Sequence, residues 1–272
     1  MPENYFTSVF QAITDLLTQH SSLFLSMGQN MFRSFAAILI AWFGIRSALT
    51  SAEPGGGFRM ADFVNLVLAI AFGFAMITYY DSPIPGFGRS FKNLITDEAM
   101  FLSNSLETAS IGEIQQRLVT LYSTMESPSL LDGIEVLRYF LCMAAIILAE
   151  VAVLAVVSYG YIAMAVIILV GPLFIPFFIV PRLDWLFWGW LKSFLQYSFY
   201  QVIAHAFVFV FGQLVIHFLD VHPPPFDSVK VAWLFVPLVF LLLSFVYGVL
   251  RIPSLVSGIF AGRSGDSAWP RA

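Results

Sequence analysis

The chain has 272 residues, of which 59% are apolar and only 11% charged, and its formal net charge is −4. A soluble domain carries about 25% charged residues, so one water-soluble core cannot bury this much apolar surface and lipid must act as a second solvent. The acidic balance argues against nucleic-acid binding by bulk electrostatics, whose surfaces are usually basic, and the single cysteine, Cys142, cannot form an intrachain disulfide.

The expected fold is all-α: a polytopic transmembrane bundle of five or six membrane-spanning helices with amphipathic interfacial helices. The opening residues Met1-Pro2-Glu3-Asn4 lack a basic n-region, so no cleavable secretory signal is expected. Within residues 1–30, Phe6, Val9, Phe10, Ile13, Leu16, Leu17 and Phe24 share one helical face. This predicts an amphipathic helix lying at an interface or on a partner. A crossing needs about 20 apolar residues. The first hairpin, 31–80, supplies one from about Ser34 to Leu49, between Arg33 and Arg46, and another from Phe63 to Tyr80. The Tyr79–Tyr80 pair suits an aromatic belt at the membrane surface.

Residues 81–137 form the largest polar segment. It opens with the turn Asp81-Ser82-Pro83-Ile84-Pro85-Gly86, then repeats Phe87, Phe91, Leu94, Ile95, Phe101 and Leu102 at helical spacing. Ser110 with Glu113 makes a capping box for a second short helix, which Ser127-Pro128 ends. The C-terminal bundle, 138–250, begins with the apolar run Tyr139–Val180, too long for one crossing at about 1.5 Å of rise per residue. Ser158-Tyr159-Gly160 is the expected hairpin turn, giving helices over about 139–157 and 161–180. Further crossings fall within 194–219 and 231–250, separated by a loop stiffened by Pro223-Pro224-Pro225, and the tail 251–272 reads as mobile.

Within this frame a few residues carry chemistry. Glu150 sits among apolar neighbours at bilayer depth, where a carboxylate faces either a water-filled path or a helix contact. His205 is its candidate partner, or else a hydrogen-bonded core histidine. Gly171, Pro172 and Pro176 break a membrane helix and read as a hinge at a transport path or as a fixed kink. Arg182, Trp185, Trp188, Trp190 and Lys192 combine aromatic and basic side chains, as an interfacial anchor or a docking patch for a partner does. No metal spacing, phosphate loop, nucleophile elbow or dinucleotide fingerprint occurs, so neither cofactor nor enzymatic activity is expected.

Two N-terminal crossings, a long polar segment with short helices, the run Gly171-Pro172-Leu173-Phe174-Ile175-Pro176, and the tryptophan-rich stretch from Arg182 to Trp190 resemble the TrbL-type family. These are polytopic inner-membrane subunits of bacterial type IV secretion and conjugation machines, the VirB-six/TrbL group. The similarity covers about residues 30–250 and is strongest over 139–219. It implies a homo-oligomeric ring in the inner membrane that forms part of the path for substrate or pilus subunits. Its partners would be periplasmic stalk and pilus subunits, scaffold proteins and ATPases, with no catalysis in this chain. The resemblance does not extend to the polar C-terminal domain of the longer members, so functions resting on that domain are not expected here.

The resemblance puts 81–137 in the periplasm. Six crossings with the positive-inside rule put it in the cytoplasm instead. Its acidic excess favours the family's arrangement, and the tail is then cytoplasmic if the number of later crossings is odd. The stretches that decide this are the turn at 158–160 and residues 185–219. Two other classes compete: a small-solute transporter or permease, expected to carry matching broken helices in two repeated halves, and an assembly scaffold with no conduit.

Overall fold

The computed structural model describes residues 3–51, 59–107, 133–223 and 228–260, with residues 116, 117, 119, 120 and 123 of the segment between. Regular structure in these residues is helical throughout: α1 (Glu3–Ser51), α2 (Met60–Thr78), α3 (Asn93–Glu107), α4 (Gly133–Phe174), a 3₁₀ turn (Ile175–Ile179), α5 (Asp184–Val221) and α6 (Ser228–Phe260). Five helical stretches are long and apolar enough to cross a membrane: Gln19–Thr50, Met60–Thr78, Gly133–Ile179, Asp184–Val221 and Ala232–Phe260. The chain is an all-α polytopic bundle.

Several boundaries differ from expectation. The amphipathic N-terminal segment runs without a break into the first crossing as α1. Residues 251–260, expected in a mobile tail, continue α6; residues 261–272 lie outside the described residues, as do Ser110, Glu113, Ser127 and Pro128. The principal correction concerns Ser158-Tyr159-Gly160, which is not a turn: α4 passes through it as continuous helix. The glycine serves close packing instead. A Cβ on Gly160 would stand 2.4 Å from the Tyr200 ring and 2.6 Å from the Gln201 amide nitrogen, so its bare backbone lets α5 side chains lie against α4.

The chain divides into two compact units, discontinuous in sequence. The first comprises 1–98 and 162–197, the second 99–161 and 198–272. In the first, Phe32 of α1, Met76 and Ile77 of α2, Ile175 and Ile179 of the 3₁₀ turn, and Phe187 and Phe194 of α5 form a buried core. Gly73 admits the Phe32 ring, whose edge lies 2.7 Å from where a Cβ would be. In the second, Cys142, Ala145, Ile146 and Ala149 recur at helical spacing on the buried side of α4, as do Leu242, Phe245, Val249, Ile252 and Val256 on α6. Phe211 meets Phe245 at 5.9 Å between ring centroids, and the Phe207 ring fills the space over Gly248.

Candidate functional site

In the first unit the chemistry gathers on the broken end of α4. Pro172 lies inside the helix and has no N–H, so the carbonyl four residues back, on Ile168, loses its helical donor. The Tyr80 hydroxyl, from just past α2, donates to that carbonyl at 2.6 Å. One position earlier, the Trp190 indole N–H donates to the Ile167 carbonyl at 3.0 Å. Both donors reach in because residue 171 has no side chain. A Cβ there would sit 2.1 Å from the Tyr80 oxygen and 2.7 Å from the Trp190 ring.

Pro176 falls at the start of the 3₁₀ turn, where a missing N–H costs little, but it removes the donor to the Pro172 carbonyl. Gly28 of α1 packs its bare backbone against that oxygen, 2.2 Å from where a Cβ would be. The break is thus held by α1, by the residue after α2 and by α5. Burial, then the nearby Asp81 charge, pushes the Tyr80 hydroxyl well above the ordinary tyrosine value, so it stays a donor.

Beyond the 3₁₀ turn, the Leu183 N–H donates to the Val180 carbonyl at 3.1 Å, and Arg182 within this turn adopts φ of 71°. That left-handed conformation favours glycine and costs other residues about 1–2 kcal/mol. Arg182, Trp185, Trp188 and Lys192 are exposed. Trp190 is not part of that surface: it is buried, stacked on Phe194 with centroids 5.5 Å apart.

In the second unit, Glu150 is half-buried on α4 and makes no hydrogen bond or ion pair with any described residue. His205 is buried, and its Nδ1–H donates to the Gln201 carbonyl of its own helix at 2.7 Å. Among the described residues no ion pair joins Glu150 to His205. Sequence reasoning missed the company His205 keeps: Ser198 and Gln201 are also buried, spaced three and four residues apart along one face of α5. The Gln201 amide donates to the Val157 carbonyl of α4 at 3.2 Å, beside Gly160. That i, i+3, i+7 run of polar side chains in an apolar helix was the available signal.

The family described as TrbL/VirB6 plasmid conjugal transfer protein matches residues 36–252. The chain belongs to this family. As a TrbL/VirB6 protein it is a multi-pass membrane component of the conjugation, or type IV secretion, machinery and associates with other components of it. Comparison with curated proteins finds no match. The TrbL/VirB6 match contains both ends of the stapled break, Tyr80 and Trp190, along with Glu150 and His205, whereas Gly28 lies before it. No cluster of three or more His, Cys, Asp or Glu residues able to hold a metal occurs among the described residues.

Proposed function

We propose that this TrbL/VirB6 protein is an inner-membrane channel or platform subunit, arranged as a homo-oligomeric ring, that forms part of the substrate or pilus-assembly path and performs no catalysis itself. The observation that carries the reading is Glu150. A carboxylate on a membrane helix, half-exposed and with no described protein partner, is costly against lipid tails. A neighbouring subunit or a water-filled path removes that cost, and a ring supplies both.

The helix count supports a sidedness. The first two spans, Gln19–Thr50 and Met60–Thr78, leave 51–59 on one side of the membrane and return 79–132 to the N-terminal side. Residues 81–137 carry eight acidic residues. We read this acidic excess as suited to an extracytoplasmic partner, which puts 81–137 in the periplasm.

The test is Glu150→Leu. Conjugal transfer is expected to fall while membrane insertion and protein level stay normal. Unchanged transfer at normal protein level would refute the conduit role.

A further inference from the structure

The turn that follows α2 displays one large apolar side chain. Phe87 is 74% exposed, at the tip of Pro83-Ile84-Pro85-Gly86-Phe87-Gly88, between two glycines with φ of 89° and 68°. The turn is closed, not loose. The Ile84 N–H donates to the Arg89 carbonyl at 2.9 Å, and the Phe87 and Gly88 N–H groups donate to the Ile84 carbonyl at 3.0 and 3.1 Å. Its base is tied to the end of the helix, where the Phe91 N–H donates to the Tyr79 carbonyl at 2.8 Å.

We propose that this turn inserts the Phe87 ring into the membrane at the boundary between headgroups and acyl chains. Depth is the first argument. α2 has 19 residues, which at about 1.5 Å each matches a hydrocarbon core of about 30 Å. Tyr79 and Tyr80 therefore sit at headgroup level, and the bond from Phe91 back to Tyr79 keeps the turn beside them.

Backbone chemistry is the second. An unpaired N–H resists entry into an apolar layer. Here Pro83 and Pro85 have none, those of Ile84, Phe87 and Gly88 are used inside the turn, and the Gly86 N–H is left for a lipid headgroup oxygen. Charge is the third. The basic groups flanking the tip are neutralised by partners, Lys92 on Asp81 at 2.6 Å and Arg89 on Glu98 at 2.6 Å, and no charged residue lies from 82 to 88. A tip that is neutral, donor-poor and fixed in shape fits a lipid layer better than water. The inference needs only that α2 crosses the membrane, so it stands or falls apart from the conduit reading.

The experiment is a spin label on Phe87→Cys in the full chain, reconstituted in phosphatidylethanolamine and phosphatidylglycerol vesicles. Ser82→Cys, on the exposed leg of the same turn, is the comparison. The wild-type chain is the blank, because Cys142 is buried. At 87, oxygen should relax the label more than a water-soluble nickel chelate does, with the order reversed at 82. Greater nickel than oxygen access at 87 would overturn the proposal. So would shielding from both reagents, which would mean that a protein, a second copy included, covers the ring.

Discussion

The bonds at the Pro172 break predict a specific non-additivity. Tyr80→Phe removes the hydroxyl and leaves the Ile168 carbonyl without its cross-helix donor. Hydrogen bonds inside membrane proteins average about 0.6 kcal/mol and reach about 1.7. This one replaces a bond that proline has abolished, which sets the expected cost at about 1–2 kcal/mol. Gly171→Ala places a methyl group 2.1 Å from the same oxygen and 2.7 Å from the Trp190 ring. The hydroxyl has to leave, so this variant loses the hydrogen bond and adds overpacking, together about 2–4 kcal/mol. In the double variant the oxygen is already gone. Its cost should fall short of the sum of the singles by about 1–2 kcal/mol, a coupling of the size that residues in contact show. Reversible unfolding in mixed detergent micelles, measured for the four proteins of the cycle, reads this directly. Additivity within about 0.5 kcal/mol would refute the geometry, because it would mean that residue 171 and the hydroxyl do not share one space.

Other expectations follow from single contacts. The Tyr80 hydroxyl is raised above the ordinary tyrosine value by burial and then by Asp81, so the folded state holds its proton after the unfolded chain has begun to release it. Its contribution is complete below about pH 10 and is lost as pH rises above that. Wild type should therefore lose more stability than Tyr80→Phe between neutral and strongly alkaline pH, and parallel curves would count against it. Gly160→Ala should destabilise by about 1–3 kcal/mol, since the added carbon meets the Tyr200 ring at 2.4 Å; an unchanged unfolding midpoint would restore a turn at 158–160. Arg182→Gly should raise stability by about 1 kcal/mol by relieving the left-handed conformation, and a loss of stability in the same assay would mean that the guanidinium makes a stabilising contact.

Hydropathy made the class and most of the crossings legible, because about 20 apolar residues in a row have few other uses. It failed where a residue type has two uses in a membrane. Ser158-Tyr159-Gly160 carries the composition of a turn, yet its glycine is a close-approach point inside a helix, and nothing local distinguishes the two. Tyr80 beside Tyr79 has the pattern of an aromatic belt, and Trp190 that of an anchor shared with Trp185 and Trp188. Both are buried, because their polar tips answer carbonyls that lie 88 and 23 residues away in sequence. The burial of Ser198, Gln201 and His205 together was readable from their spacing, but only by scanning α5 for polar residues instead of apolar ones.

The same bonds bear on how the Gly171-Pro172-Pro176 break behaves. A hinge works if its two states differ by little, so a moving break should leave its freed carbonyls to water or to exchangeable donors. Here the Ile168 carbonyl is taken by Tyr80 and the Ile167 carbonyl by Trp190, while the Pro172 carbonyl is covered by Gly28. Opening the kink would release two buried donors at about 1–2 kcal/mol each. It would also lift the Trp190 ring from the space over Gly171 that it fills. A population costing several kcal/mol is too rare to serve as the working state of a gate without a ligand to favour it. We therefore propose that the Gly171-Pro172-Pro176 break acts as a fixed joint, which sets the direction of the chain into the Arg182 turn.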